Sequence, residues 1–509
     1  MNYIQGKNRD QSILFVQCLD EIISSDNDVR IIDLFVESIN ITDFKFIVKT
    51  SSEGRPAYHP KDLLKLFVYG YLNSIRSSRT LEKECHRNIE VMWLMKQLAP
   101  DHNTIANFRR DNQKAIRHVF RHTVSIAQQF NLIGGKLIAG DSTKLRAQNS
   151  KKNNFNEHKI EQHIVYIENK LNEYTSALET ADEDHKKRIA EEVQKQNNRK
   201  DFYNDLNNRL QQSNDKQIST SDPDSRQMIT RNNITEVAYN IQTVVDAKHC
   251  LPIDYKVTNE NDSKAMGNML RRTKTILQHN NFTALYDKGY HTGSEIKKAV
   301  EMGIDIMVAV PGIAAFAPDH QYNIDKFIYD TNSDTYRCPE QQVLTTNGNW
   351  YQKTQRYIYF VKHYKTNACS HCASLALCTK NKRGRLLERS EYQSYIEQNK
   401  KNIETNNGIY KQRQAIVEHP YGIIKRQWGF YYITTKKGIQ RAGADVGLMF
   451  TAYNLRRLIN IIDKNLLKKF LRNLCLLFFI EMTLLKVIKT TLKHFLLKFS
   501  YQPCFCKAA

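Results

Sequence analysis

The chain has 509 residues, enough for several folded units with a sizeable core, and it carries 75 Lys and Arg against 53 Asp and Glu, a formal net charge of +22. An excess of that sign points to a polyanionic partner, with nucleic acid the leading class, although charge alone does not separate DNA from RNA or a membrane surface. The longest strongly apolar run, residues 474–480, is stopped by Glu481 and is too short to span a bilayer. Residues 1–5 lack a basic start followed by an apolar core, so a cytoplasmic protein with no membrane partner is expected, its ten cysteines thiols or metal ligands rather than disulfides.

In chain order, residues 1–130 read as a helical unit. After a breaker-rich loop at 51–60, Leu63, Leu64, Leu66, Phe67, Tyr69, Tyr71 and Leu72 fall at helical spacing, Ser78 opens another helix, and Asp101 or Asn103 is placed to cap a third. Residues 136–148 read as a strand. In the polar stretch 154–219, Ile160, Ile164, Ile167, Leu171, Tyr174 and Leu178 alternate steps of four and three, the seam of an antiparallel helical arm. Strand patterning returns over 238–257 with a turn at Asp246, and a helix at 263–279 leads to a strand ending at Asp287. A helix at 294–303 and a strand at 304–311 follow, then a polar Cys-bearing insertion at 312–400, a helix carrying Glu418, and an apolar closing helix at 442–462. Residues 463–509 read as a basic helical tail. The catalytic unit is expected over 136–462, interrupted by the arm and the Cys-bearing insertion.

Three acids stand out. Asp141 ends the apolar run 136–140, Asp287 ends a second run, 282–286, and Glu418 lies on a helix seven residues before Lys425. An acid at the tip of a buried strand is costly unless it is paired or holds a cation. Two such tips with a helical acid, in a basic chain, point to a shared divalent-metal site, since carboxylate oxygens suit Mg²⁺ (or Mn²⁺) and two metals so held serve phosphoryl transfer. Seven residues are two helical turns, so Glu418 and Lys425 are expected on one face, with Arg413 and Lys425 placed to hold substrate phosphates. Taken singly, each Asp also fits a turn or cap residue.

The pattern Tyr410-x2-Arg413-x4-Glu418-x6-Lys425 resembles the Y-R-E-K signature of bacterial insertion-sequence DDE transposases, whose usual Arg-to-Glu interval is one residue shorter. The segments Asp141-Ser-Thr-Lys-Leu-Arg and Leu285-Tyr-Asp287-Lys-Gly-Tyr are similar to that family's first and second Asp segments. The strings Gly54-Arg-Pro-Ala-Tyr-His-Pro60, Tyr69-Gly-Tyr71, and Pro100-Asp101 through Arg109 are similar to the helical domain that precedes the core in one such group. The resemblance spans residues 45–460. It implies an α/β, RNase H-like, mixed-sheet core behind an N-terminal helical DNA-binding domain. It also implies a catalytic and Mg²⁺-binding trio of Asp141, Asp287 and Glu418, with Tyr410, Arg413 and Lys425 binding substrate. The activity implied is metal-dependent cutting at terminal repeats and joining of the 3′-OH to target DNA, by a homo-oligomer on DNA associated with the nucleoid. A nuclease of the same fold, or a DNA-binding derivative without catalysis, fits the same residues.

Cys338, Cys369, Cys372 and Cys378 contain one Cys-x2-Cys pair and two outlying thiols; they read either as a structural Zn²⁺ site, with His371 a substitute ligand, or as free thiols. Trp428, Phe430, Tyr431 and Tyr432 read either as core or as a base-stacking platform. Asp222 and Asp224 read as a turn close to the substrate path, Asp262 as a helix cap, and Cys504 and Cys506 as incidental.

Overall fold

The computed structural model describes residues 18–48, 56–180, 182–213, 215–230, 233–312, 316–354, 358–435 and 437–476. Expectations for residues 477–509, including Cys504 and Cys506, lie outside these.

Helices α1 (Leu19–Ile22), α2 (Asp28–Glu37), α3 (Pro60–Leu72), α4 (Ser78–Arg87), α5 (Ile89–Leu94), α6 (His102–Asp111) and α7 (Gln113–Gln129) form the N-terminal region. Local chemistry sets their starts. Pro60 occupies the first turn of α3, where its missing N–H costs nothing. Asp101, rather than Asn103, caps α6 by accepting from the N–H groups of Asn103 and Thr104 at 2.9 and 3.1 Å.

Strand β1 (Leu137–Arg146) follows, then β2 (Asn154–Phe155), the arm helices α8 (Glu157–Thr180) and α9 (Glu183–Gln212), and β3 (Ile218–Ser219), which pairs with β2 at the arm's base. Ile160, Ile167, Leu206 and Leu210 are buried there, whereas Leu171, Tyr174 and Leu178 are only half-buried toward the tip. A two-helix arm has one seam to bury, and its outer faces stay in water.

Next come β4 (Arg226–Ile229), β5 (Thr235–Asp246), β6 (Leu251–Thr258), α10 (Met266–Leu277), β7 (Thr283–Tyr286), α11 (Gly293–Glu301) and β8 (Asp305–Val308). The Cys-bearing segment holds two three-stranded sheets and a single-turn helix α12 (Leu375–Cys378). Helix α13 (Gln393–Thr405) then lies against β8, where the Asn399 amide bonds both the N–H and the C=O of Val308 at 2.8 Å. Helices α14 (Asn407–Lys411), α15 (Arg413–Tyr421) and α16 (Ile439–Ile461) complete the order, and residues 464–476 are helical. No helix among the described residues is long and apolar enough to cross a membrane.

The architecture is mixed α/β. The main sheet runs β4-β5-β1-β7-β8, with β6 also on β5. Strand β5 is antiparallel to β1, whereas β7 and β8 continue parallel to it. The chain therefore builds outward from β1 on one side, then crosses over and builds on the other. In open α/β sheets ligands bind beyond the strand ends at such a switch point.

Helix α16 is buried along most of its length between the sheet and the N-terminal helices, and one apolar core runs through all three. At its centre Asp445, fully buried, accepts from the Tyr71 hydroxyl and the Thr434 N–H, and faces Arg76 at 3.6 Å and Arg109 at 3.7 Å. Asp222 and Asp224 accept from the N–H groups of Gly438 and Ile439 at 3.0 and 2.8 Å, so they complete the start of α16. Asp445→Ala leaves two buried guanidinium groups without their acid. It is expected to lower unfolding free energy by about 3–5 kcal/mol in urea titration, and a loss below about 1 kcal/mol would contradict the role given to this residue.

Candidate active site

The site is set by strand register. Ala139 pairs with Leu285, and two residues further along each parallel strand lie Asp141 and Asp287, at the same level. Side chains alternate along a strand, so Ala139 and Asp141 share a face, as do Leu285 and Asp287. Ala139 and Leu285 pack there with Val245, Met307, Ile416 and Val417, which brings α15 across the sheet at the carboxylates. Between them Gly140 faces the other way. A Cβ at that position would lie 2.0 Å from the Tyr286 ring, so only glycine lets β1 run past this tyrosine.

A third carboxylate joins these two. Asp262 belongs to a 3-10 turn whose N-cap is Asn261, and its side chain does not cap that turn. It accepts instead from the amides of Asn240 and Gln242, both at 2.7 Å, and lies 3.4 Å from the Lys144 ammonium. The cap expectation is corrected on this point, because β5 offers two buried amide donors that outcompete the turn's own N–H groups. Gly289 marks the proximity: a Cβ there would sit 3.1 Å from Asp287 Oδ1 and 3.7 Å from Asp262 Oδ2.

Charge and burial separate the two sheet-facing acids. Burial raises Asp141 from 3.8 to about 6; the Ser142 N–H at 2.7 Å and Arg413 oppose this, while the charges of Asp287 and Asp262 reinforce it. Burial also acts on Asp262, but Lys144 and hydrogen bonds from Asn240, Ser142 and Gln242 outweigh it and hold that carboxyl below its ordinary value.

The helical residues divide differently from their spacing. Arg413 Nη1 reaches Asp141 Oδ2 at 3.4 Å, Tyr410 donates to the Tyr286 carbonyl at 3.1 Å, and Lys425 donates to Thr143 Oγ1 and to the Lys144 carbonyl. Tyr421, one turn beyond Val417 on the same face, donates to Thr243 Oγ1 at 2.8 Å. Glu418 is exposed and accepts from Gln414 at 3.0 Å. It does not share a face with Lys425, because residues Gly422–Gln427 form a π-helix directly after α15. The wider i→i+5 turn advances fewer degrees per residue, so seven residues no longer make two turns. Among the described residues no three His, Cys, Asp or Glu side chains stand in a group that could hold a metal ion. Of Asp141, Asp287 and Glu418, the first two stand together and the third lies outward on α15.

The four cysteines do converge. Cys338, Cys369, Cys372 and Cys378 line one cavity of about 30 Å³ with Phe327 and Leu344. Burial, with the other three thiols nearby, pushes the Cys378 thiol up. Like the carboxylates, they do not form a group of three or more metal-holding side chains among the described residues. The aromatic run splits: Phe430 is core, Trp428 is half-buried, and Tyr431 and Tyr432 are 50% and 41% exposed. Sequence reasoning missed Tyr421 and the closeness of Asp262 to Asp141 and Asp287. A signal for Asp262 existed in the alternating polar residues Asn240 and Gln242, which put two amides on one side of β5.

Comparison with known proteins places residues 17–111 in a match to the family model of a transposase domain (DUF772) and residues 337–459 in a match to that of a transposase DDE domain. Together they support an insertion-sequence-type DDE transposase. The second match contains Tyr410, Arg413, Glu418 and Lys425; Asp141 and Asp287 lie outside both. No curated protein matches the chain. Among solved structures it is similar to the cryo-EM structure of a piggyBac transposase synaptic complex with hairpin DNA, at 11% identity and a TM-score of 0.28, over 88% of this chain and 79% of that one.

The raised Asp141 has a testable consequence. Between 3.8 and about 6 the folded chain keeps a proton on Asp141 that the unfolded chain has lost, so stability from this group falls as pH rises through that window. Asp141→Asn removes the titrating carboxyl. Thermal melts at pH 4 and pH 7 are expected to show wild type losing more stability on going to pH 7 than the variant does; equal losses would contradict the assignment.

Proposed function

We propose that the chain is a DNA transposase of a bacterial insertion sequence, cutting the element's terminal repeats and joining the freed 3′-OH to target DNA. The observation that carries the reading is the pair Asp141 and Asp287, level with each other just past the parallel pairing of β1 with β7, in a chain whose neighbouring segments match transposase families. We assign residues 1–130 to DNA-end recognition and read the sheet of residues 136–462 as an RNase H-like core. One reversed strand beside β1 and two parallel strands on its other side support that assignment.

Asp141 and Asp287 fit a divalent cation chemically. They are oxygen donors whose mutual repulsion a cation relieves, and that repulsion contributes to raising Asp141. Mg²⁺ or Mn²⁺ bound there would supply Lewis-acid stabilisation of the phosphate and lower the pKa of an attacking water or hydroxyl. The chain's own groups do the rest. Arg413 sits beside Asp141 and is placed to neutralise a phosphate oxygen brought to it. Lys425, bound to β1, positions the strand segment Thr143–Lys144 that follows Asp141. Tyr410 ties α14 to the end of β7 just before Asp287, which holds the two acids and the helix in one frame. Two ends must be held for joining, so a homo-oligomer on DNA is part of the reading.

The outward position of Glu418 favours one other reading, a DNA-binding derivative without catalysis. Mg²⁺-dependent cleavage and strand transfer on end-containing DNA separates them. Wild type is expected to cut and join, with activity lost on EDTA and reduced about 100-fold or more in Asp287→Asn while DNA binding persists. Wild type that binds the ends but neither cuts nor joins would establish the inactive derivative, and cutting without joining would establish a nuclease. Glu418→Gln and Asp262→Asn in the same assay identify the third carboxylate. Loss in the first requires α15 to turn inward on DNA; loss confined to the second assigns the third carboxylate to Asp262.

A further inference from the structure

A groove of about 710 Å³ separates the N-terminal helices from the segment after the π-helix. Its walls are the start of α4, the outer face of α6, and residues 428–435 with the first turn of α16. Five arginines line it (Arg76, Arg79, Arg109, Arg110 and Arg441) together with Ser and Thr hydroxyls and Trp428, and no lining residue is acidic.

The charges occupy two layers. In the floor, Arg76 and Arg109 share the single acid Asp445, so the buried cluster keeps one positive charge in excess. Arg76 stacks between Phe430 at 4.2 Å and Tyr432 at 4.6 Å and donates to the Tyr432 carbonyl at 2.7 Å, which fixes it in place. Arg109 is 6% exposed, and its Nε has no hydrogen-bond partner. On the rim, Arg79 and Arg441 have no acidic partner among the described residues, whereas Arg110 pairs with Asp111. The hydroxyl oxygens of Thr434 and Thr435 are buried without partners on the opposite wall. Helix α4 starts in the groove with no acid in its first turn, so its positive end is uncompensated there.

We propose that this groove seats the phosphate backbone of duplex DNA on its way to the carboxylates. The proposal rests on the transposase reading and adds the surface that reading leaves open. Guanidinium groups with hydroxyl donors between them match a row of phosphate oxygens, and an open trough fits a continuous backbone better than a small enclosed anion. The path to the chemistry is short and rigid. Arg146 N–H donates to the Tyr431 carbonyl at 3.1 Å and its carbonyl accepts from Ile433, so the groove wall is stitched to β1. Asp141 lies five residues back along that strand, about 17 Å at strand rise, or about five base-pair steps of 3.4 Å. A duplex held by the rim arginines thus reaches the sheet's switch point without any change in the fold.

The test is fluorescence anisotropy of the full chain with a labelled mixed-sequence duplex across a NaCl titration. It compares wild type, Arg79→Gln with Arg441→Gln, and a charge-matched control, Lys187→Gln with Arg188→Gln, on the exposed arm. Thermal melts verify that each variant is folded. Removing one phosphate-binding charge flattens the plot of log affinity against log salt by about 0.9. The groove variant is expected to lose about two in slope and at least about tenfold in affinity near physiological salt, with the control close to wild type. A groove variant that binds no worse than the control overturns the groove while leaving the transposase reading intact. Wild type without salt-dependent DNA binding overturns both.

Discussion

One buried carboxylate ties the molecule together. Asp445 on α16 meets Tyr71 from α3, Arg76 from the α3–α4 turn and Arg109 from α6, side chains separated from it by more than 330 residues of chain. An ion pair in a low-dielectric interior gives little net stability over a well-packed apolar substitute, but a missing partner is severely penalised. The cluster therefore acts as a registration device. Only one docking of the N-terminal helices on α16 satisfies both arginines, the tyrosine and the Thr434 N–H together. That docking shapes the arginine-lined groove and holds it against the end of β1.

The same economy of polar groups explains the sheet. Strands β1 and β7 are parallel and their pairing stops two residues before Asp141 and Asp287, so the two acids share a level and the charge of Asp287 acts on Asp141. Asp262, from the turn before α10, enters that field but is stabilised by Lys144 and two amides of β5. Nearby carboxylates thus sit in contrasting environments, one tending to hold a proton and one held ionised, as sites that manage charged oxygens require. The π-helix after Pro420 sets the remaining variable, the direction in which α15 presents Glu418.

Much of this was legible in the chain. The i/i+3/i+4 runs marked the N-terminal helices and the arm, because amphipathic periodicity reports which face must leave water. Strand β1 was expected over 136–148 and spans Leu137–Arg146, and Asp101 caps α6 as its position before a helical run implies. Asp141 and Asp287 stood out because an acid after an apolar run is anomalous at short range. Asp262 did not, since Asn-Asp before a helix is also an ordinary cap and its real partners lie about 20 residues away.

What the sequence determined by itself is the local grammar: element types, caps, the cationic excess, and which acids stand out as anomalous after an apolar run. These follow from interactions within a few residues and from composition. Tertiary structure decided which of them meet. The level placement of Asp141 and Asp287 comes from the parallel register of β1 and β7, and the groove comes from docking elements at opposite ends of the chain. The separation of Glu418 from Lys425 comes from a π-helix that spacing on an ideal α-helix cannot anticipate. Each depends on packing between distant segments, where small differences among large opposing terms choose one arrangement, and no local pattern carries that information.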